Sequence, residues 1–146
     1  MVGVNTELAD DPMLTVRDVS GRNPIRCVVD SKLRIRLDSH LVTTAKEVST
    51  CVITTQDASE VVAETLANAG VSVIRVSSTA EGRVDITAAL KALAAREVVS
   101  VLCEGGAELA ITYLNDKAKP HVEKADRLSS GFQKILGPFI ARSRNR

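Results

Sequence analysis

The sequence predicts one α/β domain: a mostly parallel sheet with helices on both faces, incomplete at its beginning. Two observations carry this. Short apolar runs rich in Val, Ile and Leu recur at Ile25–Val29, Thr50–Thr55, Val71–Val76 and Val98–Cys103, each compact enough for a strand buried on both faces. Between the second and third, and again between the third and fourth, lie stretches of helical period, an alternation that calls for right-handed crossovers and parallel pairing. The length of 146 residues suits a single core, and with 45% hydrophobic but only 2% aromatic residues that core must be aliphatic.

Met1-Val2-Gly3-Val4 reads as the tail of a strand, short for the middle of a sheet. A polar stretch follows to Asp10-Asp11-Pro12; Pro12 fixes its own φ and drives Asp11 from the right-handed helical region, so the turn is stiff. Leu14-Thr15-Val16 is extended in character, and Ser20-Gly21 and Asn23-Pro24 mark a loop. Ile25–Val29 is then a buried strand ending at Asp30-Ser31, where open α/β sheets place ligands. Residues 32–47 alternate basic and apolar positions and read as a loop with a short extended piece before the strand Thr50–Thr55.

Asp57, with Glu60 three residues on, forms a capping-box-like start to a helix whose face carries Val61, Val62, Leu66 and Ala69 and which Gly70 ends. After the strand Val71–Val76 and a polar loop, Asp85 caps a second helix with Ile86, Ala89, Leu90, Leu93 and Ala94 on one stripe. Val98–Cys103 forms the next strand; Glu104-Gly105-Gly106 leads into a third helix through Ala107, Leu109, Ala110, Tyr113 and Leu114. Residues 132–140 are apolar but broken by Gly137-Pro138.

The formal charge of +1 predicts no general affinity for nucleic acid or membranes. It conceals an asymmetry, net −4 over residues 1–115 and +5 over 116–146, so a basic tail follows a mildly acidic body and reads as a solvated end. Cys27, Cys51 and Cys103 each lie in an apolar run and read as small buried thiols of a reducing cytosol; with no CxxC and with His40 and His121 isolated, no zinc site is expected. No signal peptide or apolar run of about 18 residues is present, which predicts a soluble, cytoplasmic protein.

Two stretches carry chemistry. Gly3-Val4-Asn5-Thr6-Glu7-Leu8-Ala9-Asp10-Asp11-Pro12-Met13-Leu14-Thr15-Val16-Arg17 taken by composition is an ordinary strand–turn–strand connection closed by a cation suited to phosphate. Glu104-Gly105-Gly106 lets backbone approach a ligand, and the helix start after it suits an anion such as a pyrophosphate, although glycines there also serve tight packing. The pair lacks the G-x-G-x-x-G spacing, which disfavours a standard Rossmann reading.

Together these stretches resemble the reductase domain of the bacterial riboflavin-biosynthesis deaminase/reductases, the RibD C-terminal domain. Its pattern Gly-x-x-Thr-x-x-x-Asp-Asp-Pro-x-Leu-Thr-x-Arg is matched from Gly3 to Arg17, its strand ending in Asp-Ser by Pro24 to Ser31, and its Glu-Gly-Gly-Ala/Gly element by Val101 to Ala110. The resemblance covers about residues 1–115, with 116–146 a divergent basic segment. It implies a dihydrofolate-reductase-like fold and NADPH-dependent reduction of the ribosyl group of 5-amino-6-(5-phosphoribosylamino)uracil to ribityl. It further implies that Thr6, Asp10, Ser31 and the run Gly106, Ala107, Glu108, Leu109, Ala110, Ile111 and Thr112 contact the cofactor. Leu14, Arg17 and Glu104 then contact the substrate, with Arg17 on its phosphate. The proton donor is left open among Asp10, Glu104 and water. The family begins well before Gly3, with an opening strand, a Ser-Leu-Asp-Gly-type loop and a helix, so the chain reads as a truncated reductase domain, without the zinc deaminase. The alternative is an inactive remnant that at most binds a dinucleotide or phosphate. The family also dimerises through an edge strand beyond the position of Leu114, a stretch where this chain departs from it.

Overall fold

The structure, a computed structural model, describes residues 1–17 and 20–104. Among the described residues four parallel strands form the sheet: β1 (Val2–Gly3), β2 (Arg26–Val29), β3 (Thr50–Thr55) and β4 (Ser72–Val76), side by side in chain order. Val2 is opposite Val28, Val28 opposite Val52 and Val52 opposite Val73, so one row of β-branched side chains crosses the whole sheet on one face. Every residue of β3 is buried, as its unbroken Thr-Cys-Val-Ile-Thr-Thr run requires of a central parallel strand.

Helices cover both faces. On one, α1 (Val4–Asp10), α2 (His40–Thr43) and α3 (Glu60–Asn68) enclose Val2, Val4, Val28, Leu41, Val52 and Leu66. On the other, α4 (Ile86–Ala94) closes over Cys27, Cys51, Ile53 and Ile74. The second face carries a row of sulfur atoms. Cys27 is opposite Cys51, the register places Met1 beside Cys27, and Met1 bonds on its other side to the backbone flanking Cys103.

Local chemistry explains the helix ends. Gly70 takes φ 98° and its N–H donates to the Ala67 carbonyl, while the Val71 N–H donates to Leu66, a closure that L-residues adopt with strain. Asp85 accepts from the Ala88 N–H at 3.1 Å at the start of α4. The cap of α3 is Ser59, whose hydroxyl accepts from Val62 N–H, two residues beyond the Asp57 expected from the sequence. Val62, Leu66 and Ala69 pack on the core as their spacing predicts, joined by Ala63, while Val61 is exposed. Ala94, placed on the α4 stripe by its spacing, is exposed as well.

Three further differences follow from the same physics. The polar stretch after Gly3 is a helix, α1, because Val4 and Glu7 lie on one face and both are buried. Residues 32–47 contain the one-turn helix α2, with Leu41 and Val42 buried. Val98–Cys103 is not a regular strand. Only its end meets the sheet: the Met1 nitrogen donates to the Leu102 carbonyl at 2.6 Å and the Glu104 N–H to the Met1 carbonyl at 2.9 Å. The third helix and residues 132–140 lie outside the described residues.

Candidate functional site

The topology itself selects a site. From β1 the chain steps through β2, β3 and β4 in one direction, crosses α4, and returns to the outer side of β1, where residues 102–104 bond to Met1 in the pattern of a parallel neighbour. The strand order reverses here, with β2, β3 and β4 on one side of β1 and the 102–104 segment on the other, so β1 and that segment flank a switch point. Crevices at the carboxyl ends of strands about such a point are where open α/β sheets bind ligands.

Residues from three chain segments meet that end. Gly3 ends β1 and leads directly into α1, whose first turn carries half-buried Thr6. Asp30 and Ser31 follow β2, and Glu104, exposed, ends the segment beside Met1. Asp30 is fully buried; its carboxylate accepts from the Ile35 N–H at 2.8 Å and the Lys32 N–H at 3.3 Å, which folds the chain back sharply after the strand. Burial raises its pKa, and those backbone donors oppose the rise. Ser31 is fixed from two sides, its hydroxyl accepting from the Val84 N–H at 2.9 Å and its carbonyl from the Thr55 hydroxyl at 3.0 Å. The hydroxyl proton of Ser31 is left to donate elsewhere.

Asp10 is exposed at the end of α1. Asp11 follows in the left-handed region at φ 40° and closes α1 through its N–H to the Glu7 carbonyl. Its carboxylate meets the start of α2, accepting from the His40 N–H at 2.9 Å and standing 2.9 Å from the His40 ring. His40, which the sequence leaves isolated, is therefore the partner of Asp11. The chain then runs along α2 to Met13, whose carbonyl accepts from Arg26 at the opening of β2. Leu14 comes next, held at φ 49° with its side chain against the α2–α3 core, and Arg17 is exposed three residues further. The structure thus groups Thr6, Ser31 and Glu104 at the carboxyl end of the sheet. It does not bring Leu14 there, because Met13 is tied level with the amino ends of β2 and β3. Gly106, Ala107, Glu108, Leu109, Ala110, Ile111 and Thr112 lie outside the described residues.

Two buried groups escaped sequence reasoning. Arg26 sits with its guanidinium buried at the head of a strand that reads as apolar. Glu7 is 1% exposed, and neither carboxylate oxygen has a hydrogen-bond partner, nor does the nearby Ser39 hydroxyl. Burial pushes the Glu7 pKa up, and the Ser39 hydroxyl, close by but outside hydrogen-bond geometry, only moderates the rise. For Arg26 the one signal was its place inside an apolar strand run, whereas Glu7 lies in a stretch that reads as polar and gave none.

The RibD C-terminal domain family matches residues 1–118. The chain belongs to this family. It is 38% identical over 135 residues to the riboflavin biosynthesis protein RibD of Actinobacillus pleuropneumoniae, covering 91% of this chain and 35% of that protein. It is 36% identical over 109 residues to the 2,5-diamino-6-ribosylamino-4(3H)-pyrimidinone 5′-phosphate reductase of Aquifex aeolicus, covering 75% and 47%. The enzyme of that name from Archaeoglobus fulgidus is 36% identical over 119 residues, covering 75% and 52%. The chain spans about a third to a half of the length of these relatives. The parallel α/β sheet with helices on both faces agrees with the fold expected of a RibD C-terminal domain. Among the described residues no helix is long and apolar enough to cross a membrane.

Proposed function

We propose that this RibD C-terminal domain serves the NADPH-dependent reduction of a phosphorylated ribosylaminopyrimidine, taking 5-amino-6-(5-phosphoribosylamino)uracil to its ribityl form. The observation that carries the reading is the switch point of the sheet, with Thr6, Ser31 and Glu104 leaving three neighbouring chain segments at one end of it. A reduced dinucleotide fits the polar groups present there: the Thr6 hydroxyl is half-buried and the Ser31 hydroxyl retains a proton to donate. When bound, that cofactor supplies a hydride to the sugar carbon. The work of the chain's own residues is alignment and charge. Thr6, Asp10, Ser31 and the segment from Gly106 to Thr112 hold the dinucleotide. Arg17 grips the sugar phosphate through its planar fork. Leu14, packed on the core away from that end of the sheet, backs the loop that carries Arg17, and Glu104 fixes the polar edge of the substrate. Reduction also consumes a proton, delivered by Asp10, Glu104 or water.

The test follows absorbance at the nicotinamide band with the ribosylaminouracil phosphate as substrate, and in parallel with the diamino-pyrimidinone phosphate acted on by the named relatives. The expected outcome is substrate-dependent NADPH oxidation, slower with NADH. NADPH binding by calorimetry with no oxidation of either substrate overturns the reductase reading and leaves a dinucleotide-binding remnant.

A further inference from the structure

Arg26 is the most heavily bonded side chain among the described residues, and nothing in the proposed chemistry uses it. It is 1% exposed, and no carboxylate among the described residues lies within ion-pair distance of it. Its charge is instead spread over backbone and hydroxyl oxygens of three segments. Nε and Nη2 donate to the Thr50 hydroxyl at 3.0 and 2.7 Å. Nη2 also donates to the Val48 carbonyl at 2.9 Å and the Leu41 carbonyl at 3.3 Å. Nη1 donates to the Thr44 hydroxyl at 2.8 Å and the Met13 carbonyl at 3.3 Å. Burial lowers its pKa, with the charge of Glu47 opposing, but a guanidinium stays protonated.

We infer that Arg26 is a positioning residue for the loop that carries Leu14 and Arg17. Three facts converge on this. Its Nη1 joins that loop directly at Met13, the residue before Leu14. Its Nη1 and Nη2 also hold the end of α2, and the start of α2 holds Asp11 through His40, so the loop is gripped at both ends of α2 by one connected network. Leu14 sits at φ 49°, a backbone state that a leucine keeps only where its surroundings enforce it. The planar fork matters because five donors in fixed geometry reach Met13, α2 and β3 at once; the single ammonium of lysine does not.

The inference rests on the reductase reading only for its kinetic consequence, so the test has two arms on the full chain. Arg26→Lys keeps the charge and loses the fork. Thr44→Val removes one partner on α2 and leaves the sheet untouched. In the first arm, 15N relaxation reads backbone order; the expected result in both variants is a fall at Met13–Arg17 from about 0.85 to below about 0.6, with β3 amides unchanged. In the second, KM for the phosphorylated substrate rises roughly 10- to 100-fold in Arg26→Lys while the NADPH dissociation constant holds. Unchanged order at Met13–Arg17, or an equal loss of order throughout β3, overturns the inference and leaves Arg26 a strut of the core. Wild-type chain that oxidises no NADPH defeats the reductase reading, and the relaxation arm still decides the role of Arg26. Loss of order at the loop with KM unchanged also overturns it, since the loop would then be dispensable for binding.

Discussion

Glu7 places a carboxyl group where the helix pattern asks for an apolar side chain, and its oxygens find no partner. Its folded pKa is raised above the ordinary value of 4.5. The sign follows from linkage: the protonated form fits the fold, so its contribution is fully present below the unfolded pKa and is lost as pH rises through the folded one. Glu7→Gln is therefore expected to match the wild type in thermal midpoint near pH 4 and to exceed it at pH 8, a divergence that melts across that range will read directly. Identical pH dependence of the two proteins would show that the carboxyl is solvated. Arg17 carries the contrasting prediction for an exposed charge. Arg17→Ala should raise KM for the phosphorylated substrate by about 10- to 100-fold, the worth of a charge-assisted bond of about 1.5–3 kcal/mol, and leave the melt unchanged. Such residues were unevenly legible. Asp30 and Ser31 stood out because they close an apolar run, whereas Glu7 and Arg26 were hidden by being charged in places that only packing defines as interior.

Two helices end alike with different residues. α3 closes with Gly70 at φ 98°, and α4 closes with the same pair of bonds, Glu97 N–H to the Ala94 carbonyl and Val98 N–H to the Leu93 carbonyl, but with Glu97 at φ 63°. A side chain in the left-handed region costs about 1–2 kcal/mol. Glu97→Gly is thus expected to stabilise the protein by about 1 kcal/mol in urea titration, part of the relief being offset by the entropy of a freer unfolded chain. Gly70→Ala should destabilise by at least as much, since a Cβ there would stand 2.8 Å from Lys46 Cγ in addition to the φ strain. Elements were readable from sequence when periodicity and punctuation agreed, as at β3, Gly70 and Asp85. They were missed when short: the single turn of α2 gives no periodicity, and α1 looks like a loop because Asn5, Thr6 and the two aspartates are turn formers. At the start of α3 the sequence pointed to Asp57, and the geometry places the cap two residues on, at Ser59.

At the scale of the molecule, although residues 32–47 between β2 and β3 read as a loop, the mostly parallel sheet was legible because a stretch of helical period joins β3 to β4. The return of the chain to the outer side of β1 was not, because it is made by two backbone bonds at Met1 that no side-chain pattern announces. The candidate site divides the same way: its carboxyl-end residues follow from the strand ends, while the path of the Leu14 loop along α2 depends on Arg26 and His40. Layering on both faces predicts that cavities in either cost alike. Leu66→Ala on the inner face of α3 and Ile53→Ala beneath α4, both side chains fully buried, should each lose about 2–5 kcal/mol by denaturant titration. A large loss on one face only would mean that the other helix layer is not docked.

The line of sulfur atoms under α4 gives the chain a built-in stopwatch. Cys27 is held protonated by the Cys51 thiol beside it and by burial, so it cannot attack an alkylating reagent while the sheet is closed. Burial raises the Cys103 thiol too, but Cys103 is only partly covered, so a reagent reaches it without opening the sheet. Maleimide should tag one sulfur quickly and the other two at the pace of opening itself, so the lag between the first and later mass increments times how often β2 and β3 come apart.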